Sequence, residues 1–293
     1  MMLSHTGAAA HFRAALRAGL CACVLIFAVA PASATPRVDP AKSDIAYGRD
    51  PFQILDLYLP TSPGRHRLVV FVHGGGWSGG SKSLGGKIAG PLLAAGYAVA
   101  SVEYRRVPRT DPAGEAADVA QAVAYLLANA KSLGFDGTGF ALIGHSSGAH
   151  LVAVLGTDAS YLKSAGVDPA RLAAVIPLDG VFDVTAFLTH FPKDNQFAAF
   201  GHDPANWRHY SADELLPTAT LHPHFCILHD DTRQKFIEQA SLFEAALHHA
   251  GASFESGVAH GLSHGEVAQE FSVPGTPMAP FVVGCLSHAL PAQ

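Results

Sequence analysis

Beyond residue 35 the chain alternates two hydrophobic patterns. Runs that are apolar at consecutive positions (Leu68–Val72, Ala98–Tyr104, Phe140–Ile143, Ala174–Leu178, Phe225–His229 and Ser253–Val258) read as strands covered on both faces. Between them apolar residues recur at the helical period. Val119, Ala122, Val123, Leu126 and Ala130 share one face of Glu115–Ala130, and Phe236, Ala240, Phe243, Leu247 and Ala250 recur along Gln234–Ala250. Gly96 and Gly251 follow two such segments, where a left-handed cap costs glycine nothing. This alternation predicts an α/β fold: a mostly parallel sheet of about eight strands, with helices on both faces. Gln53–Leu59 instead alternates polar and apolar positions, which predicts an early edge strand of a different kind.

One segment breaks the rhythm. Residues 185–220 separate two strands with mixed, aromatic-rich sequence containing Phe187, Phe191, Phe197, Phe200 and Trp207. A connection this long is functional or disordered, and five aromatics argue against disorder. A small lid or pocket wall is expected.

With 293 residues, 49% of them hydrophobic, one large core can be built, so residues 35–293 are expected to form a single domain. The net charge is −5 with no densely basic stretch, which excludes nucleic acid as a natural partner. None of the 17 His has HExxH spacing, and no metal or organic cofactor is expected.

The first 34 residues read as an address. Arg13 and Arg17 precede the apolar run Gly19–Ala30, and Ala32-Ser33-Ala34 offers the small residues a signal peptidase needs. Pro31 ends the run before it reaches spanning length, so cleavage after Ala34 and export to the periplasm or medium are expected, with no stable membrane anchor. Cys21 and Cys23 leave with this segment. Cys226 and Cys285 remain; they could pair in an oxidising compartment, but two buried thiols are the expectation.

Gly144-His145-Ser146-Ser147-Gly148 sits between a strand and the helical stretch Ala149–Leu155. In that context GxSxG places a serine on a tight turn, its hydroxyl raised above the sheet edge. His73-Gly74-Gly75-Gly76-Trp77 closes the strand Leu68–Val72. Its bare amides, those of Gly75 and Gly76 together with Ser147, suit an oxyanion. A serine nucleophile also needs a base and a group that orients the base. His264, beyond the last strand, is the expected base, with His260 competing. Asp231 is the expected acid, Asp230 the alternate and Asp179 a third possibility. Since the imidazole must be neutral to act, activity is expected to fall on the acid side of about pH 6–7. Asp118 and Glu103 read as partners for Arg105 or Arg106, and His150, His248 and His249 as surface or lining residues on helices.

HGGGW at 73–77, Ser78-Gly79-Gly80-Ser81-Lys82, Glu103-Tyr104-Arg105, Asp118 and GHSSGAHL at 144–151 occur together in this order. From Tyr47 to His264 the chain resembles the esterase branch of the α/β-hydrolases, which includes the hormone-sensitive-lipase, arylformamidase and carbohydrate-esterase types. The resemblance implies that Ser146, Asp231 and His264 form a triad, and that the chain cleaves esters of small, short-acyl substrates. Arylformamidase-type amide cleavage and a non-catalytic binding protein are the alternatives. The family usually carries an HGxxD-like stretch where this chain has His229-Asp230-Asp231-Thr232-Arg233. The short segment 185–220 also differs from the large helical caps of true lipases.

Overall fold

The computed structural model describes residues 37–216 and 223–292. The expected signal peptide lies outside the described residues, as does the end of the 185–220 segment. Eight strands are described: β1 (Lys42–Ala46), β2 (Ile54–Tyr58), β3 (Arg67–Val72), β4 (Ala98–Val102), β5 (Asp136–His145), β6 (Leu172–Leu178), β7 (His224–Asp230) and β8 (Phe254–Ala259). They form one sheet in the order β1-β2-β4-β3-β5-β6-β7-β8. β2 is antiparallel to both its neighbours, and every later pair is parallel.

The period of two explains why the central strands are apolar throughout. Leu68, Val70, Phe140 and Leu142 enter one core, while Val69, Phe71, Ala141 and Ile143 enter the other on the opposite face. The helices in chain order are α1 (Gly85–Ala94), α2 (Pro112–Ala128), α3 (Ala130–Leu133), α4 (Ser147–Thr157), α5 (Ser160–Ser164), α6 (Val184–His190), α7 (Asp194–Phe200), α8 (Pro204–Trp207), α9 (Ala212–Leu215), α10 (Gln234–Ala250), α11 (His264–Gln269) and α12 (Met278–Ala289). Side chains of α2, α4 and α10 fill the first core, and those of α1, α11 and α12 the second. Local signals agree with these positions. Asp111 accepts from Gly114 N at the start of α2, with Pro112 in the first turn, and Gly251 ends α10 in the left-handed region. No described helix is long and apolar enough to cross a membrane.

The two remaining cysteines do not stay free thiols. Cys226 on β7 and Cys285 on α12 form a disulfide with Cα atoms 6.3 Å apart. Their separation of 59 residues in sequence hid this. α12 lies over β6, β7 and β8, and this packing brings the two backbones within bonding range.

The aromatic-rich segment folds into α6–α9. Phe187, Leu188, Phe200 and Trp207 gather around Trp77, whose indole lies 4.7 Å from the Phe200 ring in an edge-to-face contact. The wall thus packs directly on the end of the glycine-rich loop.

Candidate active site

Ser146 occupies the turn between β5 and α4 with φ 57° and ψ −120°, a conformation that costs a non-glycine residue strain. The turn is tight because glycines flank it. A Cβ on Gly144 would overlap the Gly148 backbone, and one on Gly148 would overlap the carbonyl of Val72. Strained φ is rare here. Among the described residues only Asp44, Trp77, Ser146 and Asp179 combine a side chain with positive φ, and three of these four lie at this site.

His264 begins α11, and the start of that helix is fixed by a reciprocal cap. Ser263 accepts from the backbone of the first turn, while its own N–H donates to Glu266 Oε2 at 2.7 Å. His264 Nε2 then stands 2.9 Å from Ser146 Oγ and Nδ1 3.1 Å from Asp179 Oδ2. Asp179, on the loop after β6, is fully buried and has φ 52°. Its Oδ1 accepts from Asp230 N at 2.6 Å.

The structure therefore puts Asp179 where Asp231 was expected. Asp231 is exposed, accepts from Gly261 N at 2.9 Å and pairs with His260 Nδ1 at 2.8 Å. The competing histidine and the expected acid thus satisfy each other outside the site. Asp230 is buried, and its Oδ1 accepts from Thr232 N, Thr232 Oγ1 and Arg233 N. Its Oδ2 is left buried without an ordinary donor, beside the Asp179 carboxyl. Two adjacent buried carboxylates avoid double charge by sharing a proton. Burial first pushes Asp179 up to about 8; the Asp230 N–H works against this and the neighbouring Asp230 carboxyl adds to it.

The glycine-rich loop packs against the turn. A Cβ on Gly74 would lie 2.8 Å from Ser146 Cβ. Gly75, Gly76 and Trp77 all have positive φ, and the amides of Gly75, Gly76 and Ser147 have no acceptor among the described residues. Glu103 braces the loop from behind, 3.1 Å from His73 Nε2 and 3.1 Å from Arg106, while Arg105 grips Asp118 through two nitrogens. Both acids thus pair with arginines, the roles expected of them.

Two histidines carry more than their sequence context suggested. His145 is buried, and its Nε2 donates to the backbone carbonyl of His264 at 2.8 Å. Burial first, then His264, pushes it down to about 3, so it stays neutral. His150, expected at the surface or lining the pocket, is buried in α4. Its Nδ1 accepts from Trp77 Nε1 at 3.2 Å and its Nε2 donates to Tyr210 O at 2.8 Å, tying the glycine loop to the wall. Periodicity places both residues, but no local motif reveals these partners. His248 and His249 are exposed on α10.

His264 is pushed down to about 4, by burial first and then by Arg233 and Lys235. The sign follows: a lowered pKa keeps the imidazole neutral, and able to accept a proton, further into acid. The acid limb of kcat/KM on an uncharged ester should therefore lie nearer pH 4–5 than the ordinary imidazole value of about 6.5. A pH–rate profile checks this, and a midpoint at or above 6.5 contradicts it.

The BD-FAE family model matches residues 55–245. A probable isoprenylcysteine alpha-carbonyl methylesterase of Arabidopsis thaliana is 27% identical over 239 residues, covering 76% of this chain and 57% of that protein. A kynurenine formamidase of Danio rerio is 32% identical over 153 residues, covering 52% and 50%. The chain thus spans under two thirds of the length of either relative. A truncated carbohydrate esterase from gut microbiota has a similar structure, with TM-score 0.73, 21% identity and coverage of 88% of this chain and 98% of that one. The fold is that of the α/β-hydrolases, and the chain belongs to the BD-FAE family.

Proposed function

We propose that the chain hydrolyses carboxylic esters of small, short-acyl substrates through an acyl-enzyme on Ser146. The observation that carries this reading is the run Asp179–His264–Ser146 facing three unpartnered amides. Ser146 Oγ attacks the ester carbonyl while its proton passes to His264 Nε2. Asp179 stabilises the imidazolium and holds Nδ1–H. The oxyanion is received by the amides of Gly75, Gly76 and Ser147. The imidazolium returns the proton to the departing alkoxide, and the alcohol leaves. Water then adds to the acyl-enzyme by the same transfers in reverse order, releasing the acid and free Ser146. The short wall α6–α9 supports small substrates.

The likeness to a kynurenine formamidase supports a second reading, amide cleavage of a formamide by the same groups. Rates on p-nitrophenyl acetate and N-formylkynurenine separate the two: the proposal expects faster ester cleavage, and a faster formamide rejects it. Export with cleavage after Ala34 is proposed as well, supported by the pattern of residues 1–34 and by a disulfide that suits an oxidising compartment. The intact mass of the secreted protein should place Thr35 at its N-terminus; a mass including Met1 rejects this.

A further inference from the structure

A pocket of about 560 Å³ opens between the turn joining α6 to α7 and the start of α10, and the hydrolytic steps leave it unused. Its walls come from the turn between α6 and α7 (Phe191, Pro192 and Lys193) and from the start of α10 (Arg233 and Lys235). Two contacts tie it to the reacting atoms. The Phe236 ring stacks on His264 with centroids 4.2 Å apart, and Lys235 Nζ lies 4.6 Å from the centroid of that same ring. On the other side Asn195, two residues after Lys193, holds its amide nitrogen 3.6 Å from the position a Cβ would take on Gly76. Residues adjoining the pocket wall therefore reach the base, through Phe236, and the oxyanion loop, through Asn195.

The charge in this pocket is unbalanced. Lys193, Arg233 and Lys235 have no ion-pair partner among the described residues. Three of the carboxylates nearby pair with histidines instead: Glu238 with His190 at 2.5 Å, Asp231 with His260, and Asp179 with His264. Asp179 and Asp230 attract Lys235 from below, but burial first, and then Lys193 and Arg233, push its ammonium down. Three cations that repel one another across a partly apolar pocket are stabilised together by an anion placed between them.

We propose that this pocket binds a carboxylate carried by the substrate, so that the natural ester is anionic, with Arg233 and Lys235 as the ion partners and Lys193 at the rim. The inference rests on the ester-hydrolase reading and narrows its substrate class. Phe191 and Pro192 provide apolar wall for the few carbons between that carboxylate and the scissile carbonyl. The carboxylate can belong to the acyl or to the alcohol portion, and the chemistry of recognition is the same.

The test compares kcat/KM for p-nitrophenyl butyrate, uncharged, with p-nitrophenyl hemiglutarate and 4-butyryloxybenzoate, which carry the carboxylate on the acyl and on the leaving side. At least one anionic ester should be favoured by about tenfold, mainly through KM, and the advantage should shrink in high salt. Which ester gains it identifies the side. R233Q/K235Q should lower the anionic-to-neutral ratio by about tenfold, and K235R should retain it. A ratio near unity for both anionic esters, or one unmoved by R233Q/K235Q, overturns the proposal. Calorimetry on Ser146→Ala separates the two readings. Tighter binding of monomethyl glutarate or of 4-butyryloxybenzoate than of methyl butyrate supports the pocket even if no ester is turned over, and equal binding of all three overturns it even if esterase activity is established.

Discussion

Asp179→Asn is expected to lower kcat on a short-chain ester by about 10⁴, while Asp231→Asn leaves it within about threefold. The contrast follows from what each carboxylate touches. Asp179 Oδ2 faces His264 Nδ1, and Asp231 faces His260 on the outside. An asparagine at 179 keeps the volume, and Asn tolerates the left-handed backbone that Asp179 adopts at φ 52°. Its amide, however, would donate to Nδ1, forcing the imidazole proton onto Nε2, where it blocks proton acceptance from Ser146. The charge that offsets the imidazolium is lost as well. Steady-state kinetics on both variants, with circular dichroism to confirm folding, checks the expectation. A collapse in Asp231→Asn with a near-normal Asp179→Asn reverses the assignment.

The second large effect is expected at the oxyanion loop. Gly75 has φ 145°, and a Cβ there would overlap the carbonyl carbon and oxygen of Gly79. The overlap is with backbone, so no side chain can swing away to relieve it. Gly75→Ala must therefore displace the loop and misplace the amides of Gly75 and Gly76. Loss of a single oxyanion donor costs about 10²–10³ in kcat, and displacement of two should cost at least that. Stopped assays on a short-chain ester measure the loss, and thermal unfolding shows whether the protein still folds. A folded Gly75→Ala variant with full activity removes this loop from the chemistry.

Much of this arrangement is legible in the sequence because the relevant signals are local. β3–β8 fall on or within a few residues of the apolar runs, and α10 coincides with its periodic stretch, since both patterns record burial directly; β2 falls within the alternating stretch Gln53–Leu59 but is no edge strand, because β1 pairs on its outer side. β1 is not legible: its KSDIA segment is largely exposed and gains its partner only by pairing with β2. The turn at Ser146 and the loop at Gly74–Gly76 are visible because their glycines are forced, by close backbone approach at Gly74, Gly75, Gly144 and Gly148 and by positive φ at Gly76.

The orienting acid is a different kind of feature. Asp179, Asp230 and Asp231 each lie at or just past the end of a strand, so position alone does not rank them. The choice is made by how far each loop reaches toward His264, which depends on tertiary geometry. One local clue did exist. Asp179 precedes Gly180, where a Cβ would lie 2.5 Å from the Phe182 ring, so the backbone is tightly folded just beyond the acid. The Cys226–Cys285 bond and the links made by His145 and His150 are equally long-range, which is why residue pattern alone missed them.

The central claim is that Ser146 Oγ is a nucleophile activated by His264. Treatment with a fluorophosphonate, followed by peptide mass spectrometry, tests it most directly, because the reagent phosphonylates only an activated serine. One adduct on Ser146 is predicted, formed rapidly in the parent and in Asp231→Asn, slowly in Asp179→Asn and not at all in Ser146→Ala. An unlabelled Ser146 in the folded parent, or equal labelling elsewhere in Ser146→Ala, contradicts the account.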